Sequence, residues 1–552
     1  MGAAAIGAAA VVVVGGVAYY LSTQAPPGPP PATTTATATA PTTTAATEVV
    51  IPRPNPNSPG YGLKAGDIRS FDLILPSAKK KIEGTKLSIC YDTPPADPLT
   101  IWYPDEWKRV AGVEIAEKTM IPLLNMHDRL MTQFTMGTAK YDLISLWPMQ
   151  LGEFVAKKWL SPMDDYFDEF GYPGMDDVLP RFRYPFCMWE DKTYGIPIDG
   201  DILCFHYRTD LFQDEALKSK FENKYKYPLE PPKTWEKAAD MAEFFSQQLG
   251  SKGTYGTQIF GKDIFLWAWY GNIYHSFGHQ WWDEDLNPTL NVNGDGVRAL
   301  NLLQRTMKAS PPGVMNYSVD ETIEAFLAGR VAFTLWWPDL WEFAHSTYLG
   351  SKIIKVHDVG QCPGVEGRED KWTTTSPVGR MLVIPSSSKR KEAAYWVAQA
   401  MAGQTDMSLA TVTDPMCGLD TYRYSHYAHP EWFLKKNPFR PPEGDVEPNE
   451  PNVDPAVWGE EPALAMANRY MDAHKANVEH SIPQPTWLDA YGYMLELAHQ
   501  VSAFLLGQKS AEKALEDAAT SFKDLTDRIG KDEQKYVWGI IRESYKKAGV
   551  EF

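Results

Sequence analysis

Cysteine is scarce in this 552-residue chain: Cys90, Cys187, Cys204, Cys362 and Cys417 are all there is. No two form a CxxC pair, which excludes a zinc knuckle and a disulfide scaffold. No cysteine precedes Cys90, so a lipid-modified cysteine after a leader is excluded as well. Basic runs are equally thin, limited to Lys79–Lys81 and Lys389–Lys391 in a chain of net charge -17, which argues against a nucleic-acid groove. There is no GxSxG elbow and no HExxH helix, so the common serine-hydrolase and zinc-protease sites are missing.

Three partial motifs fail on single positions. Gly256 to Lys262 nearly spells a phosphate loop, but Asp263 stands where Ser or Thr would hold magnesium, and its interior Thr257–Phe260 reads as strand. His275 and His279 have the spacing of a metal-binding helix without its glutamate, and Gly278 lies between them. Asn291, Asn293 and Asp295 imitate a calcium loop whose twelfth position is Leu302, so helix capping before Val297 is the better reading. No cofactor or metal is implied.

Aromatic residues, by contrast, are plentiful: 19 Trp, 27 Tyr and 23 Phe, enough to line a cleft as well as a core. Ala3 to Leu21 is an uncharged apolar run that as a helix spans about 28 Å, the thickness of a bilayer core. No Lys or Arg precedes it, which leaves an uncleaved anchor, a trimmed precursor and a pilin-like signal as readings. Ala25 to Thr47 follows as a Pro and Thr tract, an extended stalk. Anchor, stalk and body in that order place the body outside the cytoplasm.

In the body, Lys86–Tyr91, Gly112–Ile121 and Tyr141–Leu146 read as strands, with helices at Leu124–Thr135 and Gly152–Trp159 between and after them. Such alternation implies a parallel, doubly wound sheet. Glu321–Leu327 and Lys391–Met401 are amphipathic helices, and Ala490–Leu506 and Ser510–Ile529 close the chain as two more, Ser510 capping the second. Asp199 and Asp201 stand two apart in the strand-like run YGIPIDGDILCFHYRTDLF, which puts both carboxylates on one face with Gly200 between. A buried polar pair is costly unless it meets a partner, internal or bound.

Several segments, in order, resemble the family 1 extracellular solute-binding proteins that deliver sugars to ABC importers. They are Gly112–Pro122, Tyr141-Asp142-Leu143-Ile144, Leu151–Val155 with Trp159–Asp164, Tyr194–Pro197 through Phe212, Pro232–Trp235, Glu324–Arg330 through Trp337, Ser388–Trp396, Asp414–His426 and the tail from Gly507 to Gly530. The departures are the Pro-rich turn Asp92–Pro98, the missing lipobox and the long stalk.

The resemblance implies an α/β, two-lobed periplasmic-binding-protein-like fold of the class II type, preceded by an N-terminal transmembrane helix and a Thr/Pro-rich stalk. The expected bounds are 1–24 for the anchor, 25–60 for the stalk, 61–200 with about 380–430 for one lobe, and 201–379 with about 431–552 for the other. It further implies a carbohydrate ligand, ABC permease subunits as partners, attachment to the membrane through the N-terminal segment, and no catalysis. Ligand-binding positions carried over are Trp147, Asp199, Asp201, Trp267, Trp269, Tyr274, Trp336, Trp337 and Trp341. Asp201 takes the acidic position after the YGIP crossing. Trp336 and Trp337, as neighbours on a strand, point to opposite faces. The chemistry suits a sugar, whose C–H face an indole covers and whose hydroxyls a carboxylate accepts. A glycosidase using Asp199 and Asp201, about 6.5 to 7 Å apart as i and i+2 on a strand, is the enzyme alternative. A surface-filament subunit packing through the Ala/Gly-rich leader is the third reading.

Overall fold

The structure is a computed structural model and describes residues 76–93, 107–108, 111–170, 174–262, 264–376, 379–439 and 449–550. The expected anchor and stalk lie outside the described residues. Among the described residues no helix is long and apolar enough to cross a membrane.

Two sheets organise the body. The first contains β1 (Lys86–Thr93), β2 (Glu114–Pro122), β3 (Leu143–Leu146), β4 (Gly195–Asp199) and, from far along the chain, a strand at Arg380–Val383. The second contains β5 (Cys204–Arg208), β6 (Phe333–Trp336) and β7 (His357–Gly360). A two-stranded ribbon pairs β8 (Thr374–Ser376) with Ser481–Pro483 in parallel. Counting Arg380–Val383 as β9 and Ser481–Pro483 as β10, the first sheet runs β2-β1-β3-β9-β4 and the second β6-β5-β7.

β1 is parallel to β2 and β3, but β9 is antiparallel to β3 and to β4. The fully parallel sheet expected from sequence is therefore only half realised. A strand that enters from the other lobe need not follow the right-handed βαβ return that makes neighbours parallel. β3, β4 and β9 are buried on both faces, as strands covered by helices on two sides must be.

The chain passes between the sheets at 200–203, where β4 has ended and β5 has not begun. Leu203 N donates to the Thr375 carbonyl (3.1 Å), and Gly200 N to the Asp420 carbonyl (3.0 Å), so the crossings lie side by side. A Cβ on Gly200 would stand 2.0 Å from the Thr421 carbonyl oxygen, so only glycine lets that segment close in. Asp199 and Asp201 thus flank a strand end and do not share a strand face, because β4 stops at Asp199.

Helices cover both sheets where their apolar spacing dictates. In α1 (Met126–Thr135) the buried Met126, Leu130 and Phe134 recur every four residues. α2 (Leu266–Ser276) is buried all round and reads accordingly as apolar on every face. A short helix, α3 (Asp339–His345), follows β6. α4 (Glu460–Glu479) packs on β7, and α5 (Ala490–Leu505) on α6 (Ala511–Ile529). Ser510 caps α6 as expected, accepting from Lys513 N at 3.2 Å. The chain closes with three helices and not two, since α7 (Lys531–Lys547) restarts after Gly530 at φ 109° and packs on helix Pro180–Cys187. Thr257–Phe260 is not a strand.

Candidate functional site

Arg380 opens β9 and lies opposite Asp199 of β4 at a register shift. Its guanidinium gathers carboxylates from three segments. Nε donates to Asp92 at 3.0 and 3.1 Å and Nη2 to Asp92 Oδ2 at 2.9 Å. Nη1 donates to Asp199 Oδ2 and stands 3.5 Å from Asp201 Oδ2. Backbone amides complete the shell: Asp420 N donates to Asp199 Oδ1 (3.0 Å), and Gly379 N, on a residue with φ of +88°, donates to Asp201 Oδ2 (2.9 Å). Such charge-assisted bonds are what allow several charges to stay inside a fold.

More carboxyls surround this group than its one guanidinium can neutralise. Asp339, at the start of α3 in the second lobe, and Asp420 and Glu342 face the same region. Burial, with the Asp201 charge beside it, pushes Asp199 up to about 8, Arg380 opposing. Burial likewise raises Asp201 to about 6 and Asp339, beside Asp199, to about 7. Asp420 and Glu342 are held well above the usual carboxylate range, again by burial first. One oxygen each of Asp199, Asp201 and Asp420 lie within 4.8 Å of one another. That is shorter than the 6.5 to 7 Å expected of a strand pair, because the two aspartates turn toward one arginine.

The expected aromatic residues separate into three groups. Trp147 lies at the end of β3 and donates Nε1–H to Asp92 Oδ2 at 3.3 Å, which brings it to the carboxylate group. Its ring is 6.1 Å from Phe265, which leads through Phe260 to Trp269, Trp336 and Trp337. Trp336 and Trp337 sit in this same cluster with centroids 4.7 Å apart. They do not point to opposite faces, since β6 ends at Trp336 and the chain turns into α3. Trp267 and Tyr274 lie in a second cluster around Trp281, where Tyr274 stacks on Tyr270 and its hydroxyl donates to the Thr289 carbonyl. Trp341 stacks on Tyr470 at 4.4 Å, and the Tyr470 hydroxyl donates to Asp420 Oδ1 at 3.3 Å.

Asp92, Arg380, Asp339, Asp420 and Glu342 went unnoticed as candidates in the sequence. Arg380 carried a signal, a charge leading directly into the apolar run Met381–Val383, and Asp420 sits inside the quoted segment Asp414–His426. Asp142, part of the quoted YDLI block, is structural: it accepts from Ser88 N and Ser388 Oγ and pairs with Arg390. His275 donates Nδ1–H to the His279 carbonyl (2.6 Å), and Asn291 Oδ1 accepts from Val297 N (3.2 Å), the capping role expected of it.

The sequence pattern of the bacterial extracellular solute-binding proteins matches residues 125–407, more than half of the chain. The chain is 26% identical over 345 residues to the mannitol-binding protein of Pseudomonas aeruginosa, spanning 60% of this chain and 73% of that one. It is 22% identical over 295 residues to a probable amino-acid ABC transporter periplasmic-binding protein of Sinorhizobium fredii, spanning 52% and 63%. Among solved structures, an ABC transporter solute-binding protein of Agrobacterium radiobacter K84 in complex with ribitol aligns with a TM-score of 0.63 at 18% identity, covering 80% of this chain and 99% of that one. One of Agrobacterium vitis S4 with bound D-mannitol aligns at 0.60 and 20% identity, covering 81% and 99%. These likenesses establish a two-lobed α/β fold for the body. By sequence, the chain belongs to the bacterial extracellular solute-binding protein family.

Proposed function

We propose that the chain captures a sugar or polyol between its two lobes and delivers it to the permease subunits of an ABC importer, working outside the cytoplasm and tethered by its N-terminal segment. The observation that carries the reading is the Asp92–Arg380–Asp199–Asp201 group with the Trp147 indole hydrogen-bonded to it, built at the crossing between the lobes. The mannitol-binding relative, and the structural neighbours that hold ribitol and D-mannitol, support a polyhydroxylated solute. Carboxylates accept hydroxyl hydrogens, Arg380 and the unpaired indole N–H groups of Trp336 and Trp337 donate, and indole faces cover the C–H surface of the chain or ring. Trp147, Asp201, Trp336 and Trp337 are the preferred contacts of the expected set. Asp199 orients Arg380. Binding closes the lobes because contacts to both are made only in the closed state.

Titration of the protein with monosaccharides, disaccharides, oligosaccharides and linear polyols, followed by tryptophan fluorescence, should show saturable binding of at least one. Silence across the panel sinks the assignment. The recovered solute should be chemically intact, and release of reducing ends would favour the glycosidase reading instead.

A further inference from the structure

The charged group at the lobe crossing holds an imbalance that a neutral sugar does not correct. Three carboxylates, Asp92, Asp199 and Asp201, contact the single guanidinium of Arg380, and Asp339, Glu342 and Asp420 interact electrostatically with that same group. Among the described residues no Lys or Arg forms an ion pair with Asp339, Glu342 or Asp420. Glu342 is wholly buried with both carboxyl oxygens unpaired, and Asp339 Oδ1 and Asp420 Oδ2 also have no hydrogen-bond partner. Asp339 is the half-buried member and belongs to the second lobe, whereas Asp92, Asp199 and Arg380 belong to the first.

Trp147 donates its indole N–H to Asp92, and Trp337 precedes Asp339 by two residues in the chain, so the part of the group that each lobe contributes has a tryptophan with it. Indole faces attract cations as well as C–H surfaces. We infer that the solute held at this crossing carries a positive charge: an amino-substituted sugar or polyol whose ammonium meets the surplus carboxylates and whose hydroxyls meet Arg380. This rests on the carbohydrate reading above and narrows it. An inorganic cation fits less well. The oxygens of Asp199, Asp201 and Asp420 converge as metal ligands do, but Arg380 Nη1 already donates to Asp199 Oδ2 and stands 3.5 Å from Asp201 Oδ2, at the position an ion would need. The raised carboxyls agree with the inference, since an empty cluster retains protons that an arriving cation replaces.

The test is calorimetric titration of the full-length chain near pH 7 with matched pairs: D-sorbitol against 1-amino-1-deoxy-D-sorbitol, D-mannitol against its 1-amino analogue, and D-glucose against D-glucosamine. In at least one pair the amine should bind about tenfold tighter or more, the weight of one charge-assisted hydrogen bond. Asp339→Asn should shrink that ratio severalfold. A neutral member that binds as tightly as its amine in every pair, or tighter, overturns the inference and leaves the carbohydrate reading standing. Silence of both members of all pairs and of the wider panel overturns both. Saturable binding of calcium chloride that abolishes the amine's advantage assigns the surplus charge to an inorganic ion and overturns the inference too.

Discussion

Arg380 and Asp92 are joined by hydrogen bonds of 2.9 to 3.1 Å, although β3 lies between the strands that carry them. The long arginine reaches past the end of β3, where the sheet gives way to the crossing, and fastens the end of β1 to the strand that returns from the other lobe. Both partners are buried. Removing the cation leaves Asp92 and Asp199 without their partner, and breaking a buried pair costs about 3 to 5 kcal/mol. Arg380→Met, which keeps an apolar stem and removes the guanidinium, should therefore lower unfolding stability by about that amount in urea titrations. A change below about 1 kcal/mol would show that the pair is solvated in the protein.

Stability should peak near pH 6.5 and fall toward pH 8. Burial holds Asp199 up at about 8 and Asp339 at about 7, so in this window the folded state binds protons that the unfolded chain has released. Stability then declines as pH rises through those values. Below pH 6.5 buried histidines act in the opposite sense. Burial pushes His206 and His474 down to about 3 and His275 and His345 to about 4, so the unfolded state takes up protons first and stability is lost as pH falls. Melting temperatures of the unliganded protein should drop between pH 6.5 and 8, and Asp199→Asn should flatten that drop. A melting temperature that rises across the window contradicts the cluster's protonation.

Ser510 offers a contrast, since its role is local. It accepts from Lys513 N at the start of α6, and Ser510→Ala should cost about 1 kcal/mol of stability by urea unfolding. Solute affinity should stay unchanged, because the cap is made within α6's first turn and touches no carboxylate of the crossing. A parallel loss of affinity would tie the C-terminal helices to the cleft.

What was legible in the sequence follows the same division between local and distant causes. The cap at Ser510, the strand β3, helix α1 and the crossing after Tyr194 each rest on residues within a dozen positions, and periodicity or turn chemistry exposes them. The Asp199–Asp201 pair was visible as a polar cost, but its partner was not, because Arg380 and Asp92 are 288 residues apart. Their meeting is a product of sheet order, which no local pattern states. The antiparallel entry of β9 was hidden for the same reason. Trp336 and Trp337 misled as a strand pair because the strand's last residue is fixed by the turn into α3 and not by the tryptophans themselves.

Asp201 separates binding from folding. Its Oδ2 accepts from Gly379 N at 2.9 Å and lies only 3.5 Å from Arg380, so it is less tied to the guanidinium than Asp92 or Asp199. Asp201→Asn keeps the acceptor for Gly379 and removes one of the mutually repelling charges beside Asp199. The melting temperature of the unliganded protein should therefore change little. Affinity for the solute should fall by about 1.5 to 3 kcal/mol, the value of a hydrogen bond to a charged acceptor. Measured together by calorimetry and thermal unfolding, these two quantities decide the residue's part. Unchanged affinity removes Asp201 from the contacts, and a large loss of stability with it would make the residue a structural partner of Arg380 alone.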